Sequence, residues 1–299
     1  MAYVAFDLDC TLGFFEITNA LAHLWSPEFL QNPEQGAPNS TLRISGKLAS
    51  KLKRARYNFA SALLESPELL DTIIRPNLGV IMKQLLAAKR ARKLQTVIIY
   101  SNTGVSYSVE LAKTLIERLY GVHGFFSLLA DHWHPLRGDD HIHEREGVYI
   151  EPLKTISTLQ KLFKSATKSA KDIPLRKILF VDDRQPKHQL ADQEKYGLTY
   201  VVPDRFVPKV TQLQKKAILL MAIDALDGVG LLNDQEYLNS GFCHRKIPYD
   251  FVLVYNIHGF PDLFTYVWDQ ILRVKGSAKK WVPDSMVLSR QITKFLEQV

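Results

Sequence analysis

Cysteine is nearly missing from this chain of 299 residues: Cys10 and Cys243 are the whole supply. A framework of disulfides is therefore excluded as its source of stability, and the scarcity of thiols fits a reducing compartment. Long apolar runs are missing as well. No stretch reaches the roughly 18 residues that a membrane-spanning helix needs, so no membrane partner is expected. The chain opens almost directly on a strand-like segment, which leaves no room for a signal peptide, and the expected location is cytoplasmic, with the nucleus open. Neither an internal repeat nor a low-complexity tract occurs, and Asp224-Ala-Leu-Asp-Gly fails the calcium-loop spacing.

What is present is an ordinary globular composition. With 46% hydrophobic and 10% aromatic residues the chain can bury a sizeable core, as one large domain with an insertion or extension. The formal charge is +7 and the pI near 9.2, a modest bias toward anionic partners. The positive residues cluster at Lys47 to Arg56, at Lys89 to Lys93 and, more loosely, at Lys161 to Lys177. Each run reads first as a solvated helix face and second as a surface for a phosphate backbone or acidic substrate; nuclear-import signals are a third reading.

The most informative stretch is Ala5 to Gly13, Ala-Phe-Asp-Leu-Asp-Cys-Thr-Leu-Gly. The run Tyr3 to Phe6 suits a buried parallel strand, and such strands deliver functional side chains at their carboxyl ends. Asp7 and Asp9 follow, two residues apart. Carboxylates that close repel unless a cation neutralises them or one holds a proton, although a solvated turn reads the same way. Further on, Thr96 to Tyr100 is a second buried strand, running into Ser101-Asn102-Thr103-Gly104 and an amphipathic helix with Val109, Ala112, Leu115, Ile116 and Leu119 inward. A hydroxyl before a helix amino terminus can bind an anion, or simply cap the helix. Lys177 to Asp183, Lys-Ile-Leu-Phe-Val-Asp-Asp, is a third apolar strand, ending in paired carboxylates. Thr199 to Val202 is one strand more.

Asp-x-Asp-x-Thr after a strand, Ser101 after a strand, Lys154 before an amphipathic helix and Asp182-Asp183 after a strand, in that order, resemble the four motifs of the haloacid-dehalogenase-like (HAD) phosphatase superfamily. The resemblance spans residues 3 to about 202. It implies an α/β fold, a Rossmann-like parallel sheet of the HAD type with a helical cap insertion, to which a C-terminal α+β extension is added. The expected divisions are a core of residues 1–13 and 89–208, a cap of 14–88, and an accessory region of 209–299. It also implies a magnesium-dependent phosphatase acting through an aspartyl phosphate. Asp7 would be nucleophile, Asp9 general acid and base, and Lys154 the balancing cation, with Lys161 and Lys164 as substitutes for it. Thr11, Ser101 and Asn102 would hold the phosphate, and Asp7, Asp9, Asp182 and Asp183 the Mg²⁺.

An acid at Asp9 favours phosphatases or phosphomutases, because transport ATPases carry Thr there and dehalogenases lack the acid. The run Asp-Leu-Asp-x-Thr-Leu is similar to phosphatases of the RNA polymerase II C-terminal domain, which usually have Glu at the position of Cys10. Val-Asp-Asp-Arg is similar to polynucleotide 3'-phosphatases. A phosphoprotein, a nucleic-acid end or a small phosphometabolite is the expected substrate; a catalytically inactive protein of this fold, binding nucleic acid or a protein through its basic faces, is the alternative. One segment stands apart, with His132, His134, His141 and His143 as two His-x-His pairs. These could hold zinc, as in the loop of histidinol-phosphate-type phosphatases, or form a polar substrate-facing loop.

Overall fold

The computed structural model of the chain describes residues 1–25, 44–137, 154–184, 197–239, 261–277 and 285–299. They divide into two units. The first comprises residues 1–15, 73–208 and 280–299, and the second 16–72 and 209–279.

The first unit is an α/β layer structure around five parallel strands: β1 (Ala2–Phe6), β2 (Leu94–Tyr100), β3 (Phe126–Ala130), β4 (Ile178–Val181) and β5 (Thr199–Val201), in the order β3-β2-β1-β4-β5. β1 is central because every one of its residues is apolar enough to be covered on both faces, with Val4, Ala5 and Phe6 fully buried. The chain builds outward from β1 through β2 to β3, then returns to its other side for β4 and β5. The order therefore reverses beside β1, and open parallel sheets bind ligands at the carboxyl side of such a reversal.

Helices supply the covering layers. Leu78–Arg90 packs on β2, burying Leu78, Ile81, Met82 and Leu85 as their spacing predicts. Ile156–Thr167 packs on β2 and β3, and its Leu159, Leu162 and Phe163 join Ala5, Ile98, Tyr100 and Phe180 in one cluster. The closing helix Ser285–Gln298 buries Leu288, Ile292 and Phe295 and meets Leu78–Arg90 and β5; the Gln84 amide donates to Ser289 Oγ at 2.7 Å. Residues 73–88, expected at the end of a cap, and 285–299, expected in an accessory region, thus belong to the sheet-bearing unit.

The second unit is helical: Glu16–Trp25, Gly46–Leu64, Pro67–Leu70, Gln212–Asp227, Gln235–Asn239 and Pro261–Arg273. Gly46–Leu64 lies against Gln212–Asp227, and Glu16–Trp25 against Pro261–Arg273. Residues 16–72 and 209–277 are interleaved here, fastened by Lys51 to Asp234 at 2.5 Å, by the Ser45 N–H to Glu236 at 2.6 Å, and by the Tyr237 hydroxyl to the Leu24 carbonyl at 2.7 Å. Lys47, Lys53 and Arg54 are exposed. No helix among the described residues is long and apolar enough to cross a membrane. Val148 to Ile150 and Asp250 to Ile257, whose apolar content predicts strands, and Pro33 to Ser40, whose Pro, Gly, Asn and Ser predict a break, lie outside the described residues.

Candidate active site

Three strand ends converge at the carboxyl edge of the sheet. The parallel ladder continues one residue past β1, β2 and β4: the Asp7 N–H donates to the Val181 carbonyl at 2.8 Å, the Ser101 N–H to the Ala130 carbonyl at 2.8 Å, and the Asp182 N–H to the Val201 carbonyl at 3.1 Å. Backbone pairing therefore fixes Asp7, Ser101 and Asp182 at one level before any side-chain interaction is counted.

Lys154 reaches this level from the opposite direction. It directly precedes Thr155, whose hydroxyl caps Ile156–Thr167 by accepting from the Thr158 N–H, and whose own N–H donates to the Tyr100 hydroxyl at 3.2 Å. Its ammonium donates to Asp7 Oδ1 at 2.5 Å and to Asp182 Oδ2 at 2.7 Å. It lies 5.3 Å from the centre of the Phe180 ring and 5.8 Å from that of Tyr100. Lys154 is 2% exposed, Asp7 7% and Asp182 not at all. Lys161, in contrast, is exposed, and Lys164 pairs with Asp172 at 3.0 Å.

Charge does not balance here. One oxygen from each of Asp7, Asp182 and Asp183 lies within 4.8 Å of the others. Against these three carboxylates stand the buried Lys154 and, 3.4 Å from Asp183, the 64% exposed Arg205. Burial, aided by the charges of Asp182 and Asp183, outweighs Lys154 and pushes the Asp7 carboxyl up to about 8. Asp183 is raised by burial and by Asp182. Burial alone would lower Lys154, but Asp182 and Asp7 together hold it above its ordinary value. Excess negative charge on close hard oxygen donors fits a divalent cation such as Mg²⁺, which needs few protein ligands.

Asp9 stands outside the group formed by the other three, and its Oδ1 accepts from the Phe15 N–H at 3.1 Å. Thr11 is buried, and its hydroxyl accepts from the Asp183 N–H at 2.9 Å, which joins the β1 loop to the β4 loop. Ser101 Oγ accepts from the Thr103 N–H at 3.2 Å. Asn102 Oδ1 accepts from the buried Arg137, which also donates to the Ser101 carbonyl at 2.5 Å and stacks over Tyr100. His132 packs edge-on against Trp133, and His134 Nδ1 accepts from the Leu136 N–H; His141 and His143 lie outside the described residues. Among the described residues, the aspartates are the only group placed to share an ion.

Gly13 is required where the β1 loop passes the returning chain, since a Cβ there would lie 2.2 Å from the Ile73 carbonyl oxygen. Sequence reading missed Arg75, Arg137 and Arg205. Nothing marks them, because two of them serve backbone carbonyls and the third a residue far off in the chain.

Fold and site together define an α/β protein with a buried lysine–carboxylate cluster at the carboxyl edge of a parallel sheet. No family model and no curated protein matches the chain. Among solved structures it is similar to a HAD-superfamily hydrolase of subfamily IA, variant 1, from Geobacter sulfurreducens, at 15% identity, covering 74% of this chain and 96% of that one. The TM-score of 0.32 is too low for that likeness to carry an argument.

Proposed function

We propose that the chain is a HAD-type phosphatase that hydrolyses a phosphomonoester through a phosphorylated Asp7. The observation that carries the reading is the bridging of Asp7 and Asp182 by the Lys154 ammonium, with Asp183 alongside. Asp7, Asp182 and Asp183 would hold Mg²⁺, which would supply positive charge to the phosphoryl oxygens. An Asp7 oxygen attacks phosphorus while the Asp9 carboxyl protonates the departing oxygen. Asp9 then takes a proton from water, whose oxygen attacks the aspartyl phosphate and releases phosphate and free Asp7. Lys154 opposes the burial that disfavours ionised Asp7 and offsets charge in the transition state. Ser101, the Asn102 amide and the Thr103 to Gly104 turn provide polar groups for the phosphate.

The formal charge of +7 favours an anionic macromolecule as substrate, a phosphoprotein or a nucleic-acid end. The test is hydrolysis of para-nitrophenyl phosphate with magnesium and with a chelator. Turnover that needs magnesium and vanishes in Asp7→Asn is the expected result; an inactive wild type, or an undiminished Asp7→Asn, refutes the reading.

A further inference from the structure

The loop after β1 is wound tightly enough to leave some of its carbonyls without backbone partners along the loop itself. Cys10 has φ 62°, a left-handed conformation uncommon for a residue with a side chain. The Leu12 and Gly13 N–H groups both reach the Leu8 carbonyl, at 2.9 and 3.3 Å, while the Cys10 N–H reaches the Gly13 carbonyl at 2.6 Å. The Cys10 and Thr11 carbonyls face outward from this turn, and one guanidinium collects both. Arg75 Nε donates to the Thr11 carbonyl at 2.5 Å, and Nη2 donates to the Cys10 carbonyl at 2.6 Å and to the Asp204 carbonyl at 2.5 Å. Arg75 is 6% exposed, its guanidinium lies 5.8 Å from the centre of the Phe206 ring, and the Phe206 N–H adds a second bond to the Cys10 carbonyl at 2.9 Å.

Arginine is seldom this buried, and here its guanidinium donates to three main-chain oxygens. Its planar fork explains the choice: two donors leave one edge of the plane at fixed separation and match adjacent carbonyls of a turn, which a lysine's single ammonium cannot do. The consequences extend past the loop. Thr11 accepts from the Asp183 N–H, and the Arg75 N–H itself donates to the Leu12 carbonyl at 3.1 Å, so the conformation Arg75 holds also sets where Asp9 and Asp183 stand relative to Asp7.

We propose that Arg75 is a positioning residue for the nucleophile loop, clamping Cys10, Thr11 and Asp204 so that Asp7, Asp9 and Asp183 keep their catalytic spacing. The proposal rests on the phosphatase reading for its catalytic half, and its structural half is measurable without any substrate. Arg75→Lys keeps the charge and loses the fork; Arg75→Met loses both.

In folded Arg75→Lys, amide hydrogen exchange at Cys10, Leu12, Gly13 and Asp183 is expected to quicken by about tenfold or more, with the amides within β1 and β2 unchanged. For para-nitrophenyl phosphate, kcat is expected to fall about 10²-fold, the size of a misplacement of about 1 Å, with KM within about threefold, because Arg75 touches no substrate. Arg75→Met should do the same more strongly. Unchanged loop exchange overturns the proposal whether or not the protein is a phosphatase, and so does unchanged kcat in an active wild type. Failure of both variants to fold also overturns it, since Arg75 would then serve stability rather than placement. A wild type without phosphatase activity sinks the reading of function, while the exchange measurement still decides whether Arg75 sets the loop.

Discussion

Replacing Lys154 by Met should destabilise the protein by an amount that depends on pH in a defined direction. Met fills the volume of the lysine stem and removes the ammonium, leaving Asp7 and the fully buried Asp182 without the cation that touches both. Removing one partner of a buried ion pair costs about 3–5 kcal/mol. For a domain of this size each kcal/mol shifts the midpoint by about 2–4 °C, so the variant should melt roughly 6–20 °C below the wild type. Without the ammonium, folded Asp7 holds its proton more tightly still than in the wild type, where burial already raises it to about 8, whereas unfolded aspartates ionise near pH 4. Between about pH 4 and 8 Asp7 stays protonated in both folded proteins while the unfolded chain ionises, so this carboxyl penalises both alike; above about pH 8 the wild type ionises Asp7 and the variant does not, and the deficit widens. The assay is urea unfolding of both proteins at about pH 6, 8 and 9.5 in a chelator, which excludes metal and needs no substrate. A deficit below about 1 kcal/mol at about pH 9.5, or one that grows on acidification, would show that Lys154 does not neutralise these carboxylates.

Gly13→Ala would place a methyl group 2.2 Å from the Ile73 carbonyl oxygen and 2.7 Å from Phe15 Cε2, so it should cost about 1–3 kcal/mol and displace the β1 loop. An unchanged urea midpoint would contradict that close approach. In the helical unit, burial lowers the His23 imidazole to about 4. The folded protein keeps His23 neutral while the unfolded chain protonates it near 6.5, so this contribution is present above 6.5 and is lost as pH falls toward 4, by about 2 kcal/mol at pH 5. His23→Gln should therefore flatten the stability difference between pH 8 and pH 5 by that amount, and an identical slope in both proteins would count against it.

The strands that carry the site were legible because each is a continuous apolar run ending in a polar residue. Tyr3 to Phe6, Thr96 to Tyr100 and Ile178 to Val181 are buried on both faces, so no alternation is needed to recognise them. The closing helix was legible too, since Leu288, Ile292, Phe295 and Leu296 form one stripe and all are buried. β3 was not: Phe-Ser-Leu-Leu-Ala is a short edge strand with an exposed Ser127 and half-buried leucines, and it yields neither a continuous run nor an alternating one. The helix Gln212–Asp227 is legible as a helix, but its buried face is not. Val210, Leu213, Ala217, Leu220 and Met221 suggest a helix, yet Leu213 is 76% exposed and Ile218, Leu219, Ala222 and Ile223 are among the residues it buries. Apolar residues lie on nearly every side of that helix, so its sequence does not single out a face.

Pairing across long gaps in the chain is a different kind of information. Lys51 with Asp234 and Ser45 with Glu236 join segments nearly two hundred residues apart, and neither partner carries a local signature. The same limit governs the site. A strand-end aspartate announces itself because a carboxylate after an apolar run is a local contrast, whereas Arg75 and Arg137 look like surface cations and act by donating to carbonyls, which every residue possesses. The acidic half of such a site can be read from order along the chain, because each carboxylate terminates its own strand. The half that orients it depends on which loops come to lie together. Asp182, wholly buried beside Asp7, accepts from the Arg184 N–H and from Lys154, which arrives from a helix start 28 residues earlier in the chain, and that second meeting is a property of the sheet order rather than of any motif.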